Sequence, residues 1–202
     1  MSPAWISLAL IALLGGTVLI VFSRYNGLIR AQKRTQEAWS GIEVQLRRRA
    51  SLVPNLVETV RGYAEHERDI FEQVARARSA LQTADGAGQT GAASNQLTQA
   101  LGRLFAVVEN YPQLRASENF TSLREDLRDA EEKIALARQF YNRNVLDYNT
   151  RIETYPDALL AGQFGFMPAE FFATDDAGKA EIRVSFDRAS RQPQQPAAPP
   201  AA

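Results

Sequence analysis

The chain has no cysteine, which removes disulfides, thiolate nucleophiles and sulfur-ligated zinc and leaves the fold to stand on packing. Histidine occurs once, at His66. A nucleophilic hydrolase needs a base beside a hydroxyl or thiol, and the sequence offers neither a second histidine nor a Gly-x-Ser-x-Gly elbow. Net charge of either sign is also lacking: Lys plus Arg and Asp plus Glu number 23 each in 202 residues. No global basic field gathers nucleic acid, which is therefore not an expected partner. His66 lies in YAEHERD, which reads as a solvated helix face. Glu65 and Glu67 project to different sides of such a helix, and the paired Glu-x-x-His motifs of di-iron bundles are missing. These shortages predict no catalytic residue, no cofactor and no metal, and thus a protein that is not an enzyme.

What is present begins with AWISLALIALLGGTVLIVF, residues 4–22, an uncharged apolar run. At about 1.5 Å per residue it is long enough to cross a hydrocarbon core of about 30 Å. A cleaved signal peptide would need a basic start and a small-x-small site, whereas nothing before Trp5 is charged and FSRYN follows. The run is read as an uncleaved membrane helix. Arg24, Arg30, Lys33 and Arg34 all lie on its C-terminal side, so the positive-inside rule predicts an outside N-terminus and a cytoplasmic main domain at the plasma (inner) membrane. The lipid bilayer is the first expected partner.

Beyond the run the pattern is helical. Trp39, Leu46, Val53, Val60, Val74 and Leu81 recur in sevens with only Glu67 interrupting, and Ile42, Leu56, Tyr63, Ile70 and Ala77 form a second row. This predicts one long helical tract with one buried seam. A second tract carries Phe120, Leu127, Ile134, Tyr141, Tyr148 and Tyr155, flanked by Leu123, Ala130 and Ala137. Between them Leu97, Leu101, Leu104, Phe105 and Val108 mark a shorter helix that stops near Asn110-Tyr111-Pro112. The expected fold class is all-α: a transmembrane helix followed by an antiparallel bundle of long helices with a heptad-like core. Residues 1–24 form the anchor, 25–172 the bundle and 173–202 an extended or disordered tail.

Several segments invite a sharper reading. TADGAGQTGAAS, residues 83–94, reads as a flexible loop between helices. A phosphate-cradling loop would need a Gly-Lys-Ser/Thr ending, and the segment has no lysine. After Tyr155-Pro156, where the second tract stops, Phe164, Phe166, Met167, Phe171 and Phe172 form the densest aromatic cluster. It reads as a cap over the end of the bundle, with a lipid- or partner-touching surface as the rival. KAEIRVSF, residues 179–186, alternates like a single strand, and RQPQQPAAPPAA from Arg191 is too polar and proline-rich to repay ordering. Arg124 and Arg128 alternate with Asp126 and Asp129 at the spacing of surface ion pairs within one helix. Asn142 and Asn149 each follow a tyrosine and stand seven apart, which predicts interhelical hydrogen bonds that fix register.

The stretch QLRRRASLVPNLVETVRGY, residues 45–63, places Pro54 in an otherwise helical run. Leu46, Val53 and Val60 keep phase across it, so a bend or restart is expected rather than a catalytic loop, with Ser51 as an N-cap and Pro54 in a first turn. Arg49 falls on the row of Ile42 and Leu56, which predicts a carboxylate partner on another helix; Arg47 and Arg48 are expected to face water or lipid headgroups.

Taken together, the membrane run, Tyr25-Asn26, Trp39, Val44 to Arg49, Leu52-Val53-Pro54-Asn55-Leu56-Val57, Gly62-Tyr63-Ala64 and His66-Glu67 resemble the LemA family of bacterial membrane-associated proteins. The likeness continues through Ala77-Arg78, Glu109 to Pro112, Phe120, both Tyr-Asn pairs, Tyr155-Pro156 and Gly165-Phe166, and covers residues 1 to about 172. It departs at Ser51, where members often carry aspartate, and in the tail. The resemblance implies a helical bundle on a single membrane helix and supplies no catalytic residues. The expected role is a scaffold or adaptor for membrane proteins, with Arg49, Pro54, Asn55, Asn142, Asn149 and Phe166 as structural or interaction residues. A ligand or lipid sensor built on the glycine-rich segment or on Phe164 to Phe172 is the alternative. Long seams serve packing within and between chains alike, so a homo-oligomer fits the pattern equally.

Overall fold

The computed structural model describes residues 3–172; the strand expected at 179–186 and the tail from Arg191 lie outside the described residues. Six helices follow in order: α1 (Pro3–Arg61), α2 (Arg68–Thr83), α3 (Gly86–Val108), α4 (Pro112–Arg115), α5 (Glu118–Glu153) and α6 (Asp157–Phe164). Among the described residues there is no strand.

α1 is one unbroken helix of 59 residues, about 88 Å at 1.5 Å per residue. Its first part is apolar all round and exposed all round, from Trp5 and Ile6 to Leu19 and Phe22, as suits a candidate membrane span rather than a core helix. Burial begins at Leu28, which is fully enclosed. From there the seams take over: Ile42, Leu46, Val53, Leu56 and Val60 are all buried.

The expected single tract through Leu81 is instead two helices. The chain reverses at residues 62–67, and α2 runs back along α1, setting Phe71 under Arg61 at 5.5 Å. His66 therefore stands in this connection, not on a helix face. The seven-residue phase survives because the connection happens to restore it, placing Val74 and Leu81 in the same core.

The glycine-rich segment is not a loop either. α3 begins at Gly86, whose φ of 75° turns the chain out of α2, and Ala87, Thr90, Gly91, Ala93 and Ser94 are buried in the helix. Small side chains there let α3 lie close to its neighbours, a tertiary advantage that outweighs low local helix propensity. α3 then runs antiparallel to α2, with Arg103 donating to Gln73 at 2.6 Å.

α5 descends along α1 with Phe120, Leu127, Ala130, Ile134, Tyr141 and Tyr148 inward. The seam stops short of Tyr155, which is exposed. The result is an up-down-up-down bundle of α1, α2, α3 and α5. The α2–α3 hairpin covers only the upper part of the α1–α5 pair. Nearer the candidate span, α6 and the segment 165–172 take the place of the missing helices, enclosing Leu28, Tyr148, Ile152 and Ala161 in a second small core.

A candidate functional site where an extended strap lies on α5

Gly165, at φ 72°, closes α6, with the Phe166 N–H donating to Ala161 O at 3.0 Å. This left-handed glycine ending sends the chain back along α5 as an extended strap, residues 165–172. Seven helical residues rise about 10.5 Å, and three residues of extended chain cover about 10 Å. Groups seven apart on α5 therefore meet groups three apart on the strap.

Tyr141 and Tyr148 donate their hydroxyls to the carbonyls of Glu170 (2.7 Å) and Met167 (2.9 Å). Asn142 and Asn149 each bond twice. Asn149 Nδ2 donates to Ala169 O and its Oδ1 accepts from the Ala169 N–H, both at 2.9 Å. Asn142 does the same with Phe172, at 3.3 Å and 2.9 Å. The two amides thus act as the edge of a sheet would, satisfying both backbone groups of two strap residues, Ala169 and Phe172, that a lone strand leaves open. They fix the register of helix against strap, not of helix against helix as the sequence suggested.

The strap is sealed by aromatics. Phe172 is 2% exposed and, with Tyr141, packs on Trp39 at ring distances of 6.2 Å and 5.3 Å. Tyr25, just past the candidate span, meets Phe164 at 5.0 Å and Phe166 at 5.9 Å edge-on. Leu159, Phe164, Met167 and Phe171 remain exposed. The aromatic cluster is accordingly a strap along the flank, not a cap over the bundle end. Its Glu170 carboxylate sits on the first turn of α3: a Cβ at Gly88 would collide with it. Burial, and next the Glu170 charge, push the Tyr141 phenol above its ordinary 10.0, and burial alone raises Tyr148.

The other expected residues lie elsewhere. Arg49 is 3% exposed, near the middle of the bundle. Its Nη2 donates to Thr98 Oγ1 at 2.9 Å, and its Nη1 lies 3.1 Å from Glu131 Oε2, the carboxylate expected on another helix. Nη1 nevertheless points off the oxygen and makes no hydrogen bond. Burial pulls the Arg49 pKa down and Glu131 opposes the shift. Arg48 does not face headgroups. It pairs with Asp129 at 2.8 Å and Asp126 at 3.9 Å, aspartates expected to serve only α5 itself. Arg47 pairs with Glu43 of its own helix.

Pro54 and Asn55 are exposed on α1, which passes through them unbroken. Ser51 is no N-cap; its hydroxyl donates to Arg48 O at 2.7 Å. The residue whose role the sequence did not disclose is Arg78, whose Nε donates to Ala50 O at 2.9 Å from α2. Glu170 was equally hidden, since nothing local distinguishes it from a solvated glutamate. Among the described residues no three His, Asp or Glu side chains gather as a metal site.

The LemA family model matches residues 38–186. Magnetosome protein MamQ 2 of Paramagnetospirillum magneticum is 30% identical over 191 residues, covering 82% of this chain and 70% of the relative. Magnetosome protein MamQ of Magnetospirillum gryphiswaldense is 28% identical over the same length and coverage. Protein LemA of Metamycoplasma hominis is 23% identical over 168 residues, with 82% and 76% covered.

Proposed function

The chain belongs to the LemA family, and on that premise we propose that this membrane-associated protein is a non-enzymatic scaffold or adaptor, held at the cell membrane by residues 4–22. The observation that carries the reading is α1. One helix without a break joins an apolar segment exposed on all sides to a core that starts at Leu28. A hinge would let the bundle wander, whereas a continuous helix transmits a fixed height and facing from the bilayer to every residue on the domain surface. Arg24, Arg30, Lys33 and Arg34 follow the span, and by the positive-inside rule the bundle stands in the cytoplasm. Two of the closer relatives carry magnetosome names; assembly of a membrane compartment is one setting in which such an adaptor would act here.

Site-specific photocrosslinkers on the exposed positions Leu136 and Phe140 of α5, in intact membranes, test the adaptor role. Recovery of a defined membrane-protein partner is expected. A chain that crosslinks to nothing but bulk lipid would overturn it.

A second reading rests on a separate observation. Leu159, Phe164 and Met167 are exposed, and Phe164 packs on Tyr25, three residues beyond Phe22, a rise of about 4.5 Å. That level is the bilayer interface, where amphipathic and aromatic groups settle. The strap end then reads lipid. Spin labels at Leu159 and Met167 should show interfacial immersion; full water exposure in vesicles would remove this role.

A further inference from the structure

Around the bundle, α1 packs along α5 and α2 packs along α3 and α1, while the side between α3 and α5 is the least filled. A cleft of about 670 Å³ opens there, within the size range of small-molecule sites. Its apolar walls are Leu101, Phe105, Phe120 and Leu127, and its charged lining is four arginines (Arg49, Arg115, Arg124, Arg128) against two glutamates (Glu125, Glu131). With Arg128 paired to Glu132 at 3.8 Å, the positive side of the cleft rests on Arg115 and Arg124. Arg49 is the buried member of the lining, and its Nη1, shielded from solvent, lies against Glu131 at 3.1 Å without a hydrogen bond. A buried donor left without a hydrogen bond is costly, more so when charged. Glu131, half exposed, compensates the charge without receiving the bond. Nearer the mouth, the Arg124 guanidinium lies over the Phe105 ring at 5.9 Å. Among the described residues neither Arg124 nor Arg115 has a carboxylate within ion-pair distance.

The geometry points to a binding site between α3 and α5 for a small organic oxyanion, a phosphate or carboxylate carrying an aromatic or short aliphatic group. The anion is held by Arg115 and Arg124, with the charge of the buried Arg49 behind them, and the apolar body lies against Leu101, Phe105 and Leu127. Forked guanidinium donors suit both oxyanions. Such a group could come from solution or from a lipid headgroup, and α1 decides between them. Arg49 is 27 residues past Phe22, about 40 Å at 1.5 Å per residue. A headgroup of the same bilayer does not reach that far, so the ligand is a soluble one.

The test uses the full chain in phosphatidylcholine nanodiscs with phenyl phosphate as probe and benzyl alcohol as its uncharged counterpart, followed by calorimetry. Gly102 lines the cleft, and a Cβ there meets nothing within 4 Å. Gly102→Phe therefore fills the space from an exposed helical position where losing glycine favours the helix. Saturable one-to-one binding of phenyl phosphate is expected, weakened at least tenfold by Gly102→Phe and by Arg49→Met, and weak for benzyl alcohol. Gly102→Phe keeps the test decisive should Arg49→Met unfold. No saturable binding, binding indifferent to Gly102→Phe, or benzyl alcohol binding as well as phenyl phosphate would overturn the site. Nanodiscs doped with phosphatidylglycerol should leave the affinity unchanged; competition by that lipid would overturn the assignment to a soluble ligand.

Discussion

Arg78 Nε donates to the carbonyl of Ala50 at 2.9 Å, and Ala50 stands four residues before Pro54. Proline has no N–H, so the i→i−4 bond that Ala50 would accept inside α1 cannot form. An arginine from α2 supplies the missing donor, and α1 continues to Arg61 as one helix. Arg78→Met should leave the Ala50 carbonyl without its donor and cost about 1–3 kcal/mol. In a Pro54→Ala background the helix regains its own N–H and the same replacement should cost less. Urea unfolding of the four proteins in this double-mutant cycle measures the coupling. Equal costs in the two backgrounds would show that Arg78 does not serve the proline.

The strap depends on the amides of Asn142 and Asn149 more than on its own sequence, because they hold backbone groups. Asn149→Leu keeps the bulk but strands the N–H and C=O of Ala169, and Asn142→Leu does so for Phe172. Each should cost about 1–3 kcal/mol, limited by release of the strap to water. Hydrogen exchange provides the local readout. The Ala169 amide should lose protection in the first variant and the Phe172 amide in the second, while Val53 and Leu56 in α1 keep theirs. Uniform loss across the protein would mean that strap and bundle unfold as one unit.

High pH should loosen the same contact. The phenols of Tyr141 and Tyr148 are raised above 10.0, Tyr141 by burial and then by Glu170, Tyr148 by burial. Above the ordinary value the unfolded chain has shed these protons while the folded chain still holds them. The unfolded state then binds fewer protons, so stability falls as pH rises. The contribution is fully present below pH 10.0 and is lost as pH climbs through the folded values. Unfolding free energies between about pH 9 and 11.5 should slope downward, and the slope should flatten in Tyr141→Phe with Tyr148→Phe. A slope unchanged in the double variant would place the alkaline sensitivity elsewhere.

How far the sequence disclosed this arrangement depends on the range of each signal. Leu46, Val53 and Val60, or Leu127, Ile134 and Tyr141, reveal their helices because burial repeats at a period set by local geometry. Gly86 to Ser94 misled because glycine and serine look like loop residues locally, while their use in α3 is close packing that only the tertiary structure displays. The Tyr-Asn pairs stood out by spacing, yet their partner is an extended segment about 20 to 30 positions away and has no matching polar pattern, since it contributes backbone alone. Pro54 was visible as a break, whereas Arg78 stood only within the family likeness and its role was not legible, because a carbonyl acceptor leaves no trace in composition. The Arg49 partner was legible as a kind, a carboxylate on another helix, but its choice of Glu131 and its unmet Nη1 are matters of angle.

Rigid coupling through α1 makes one further demand, on the facing of the bundle. An α-helix turns about 100° per residue and rises about 1.5 Å. Two alanines inserted after Phe22 would swing the whole domain by about 200° about the axis of α1 and lift it by about 3 Å. Four would restore the facing to within about 40° while lifting it by about 6 Å. Both lie before Arg24 and leave the core from Leu28 onward untouched, so the two proteins should unfold alike. If the domain presents a surface to a partner fixed in the same membrane, crosslinks from α5 should vanish with two residues and persist with four. Height alone would give the opposite order, since the four-residue insertion moves the domain further. Crosslinking that survives both insertions would mean that the partner approaches freely from solution, and α1 would then be a tether rather than a mast.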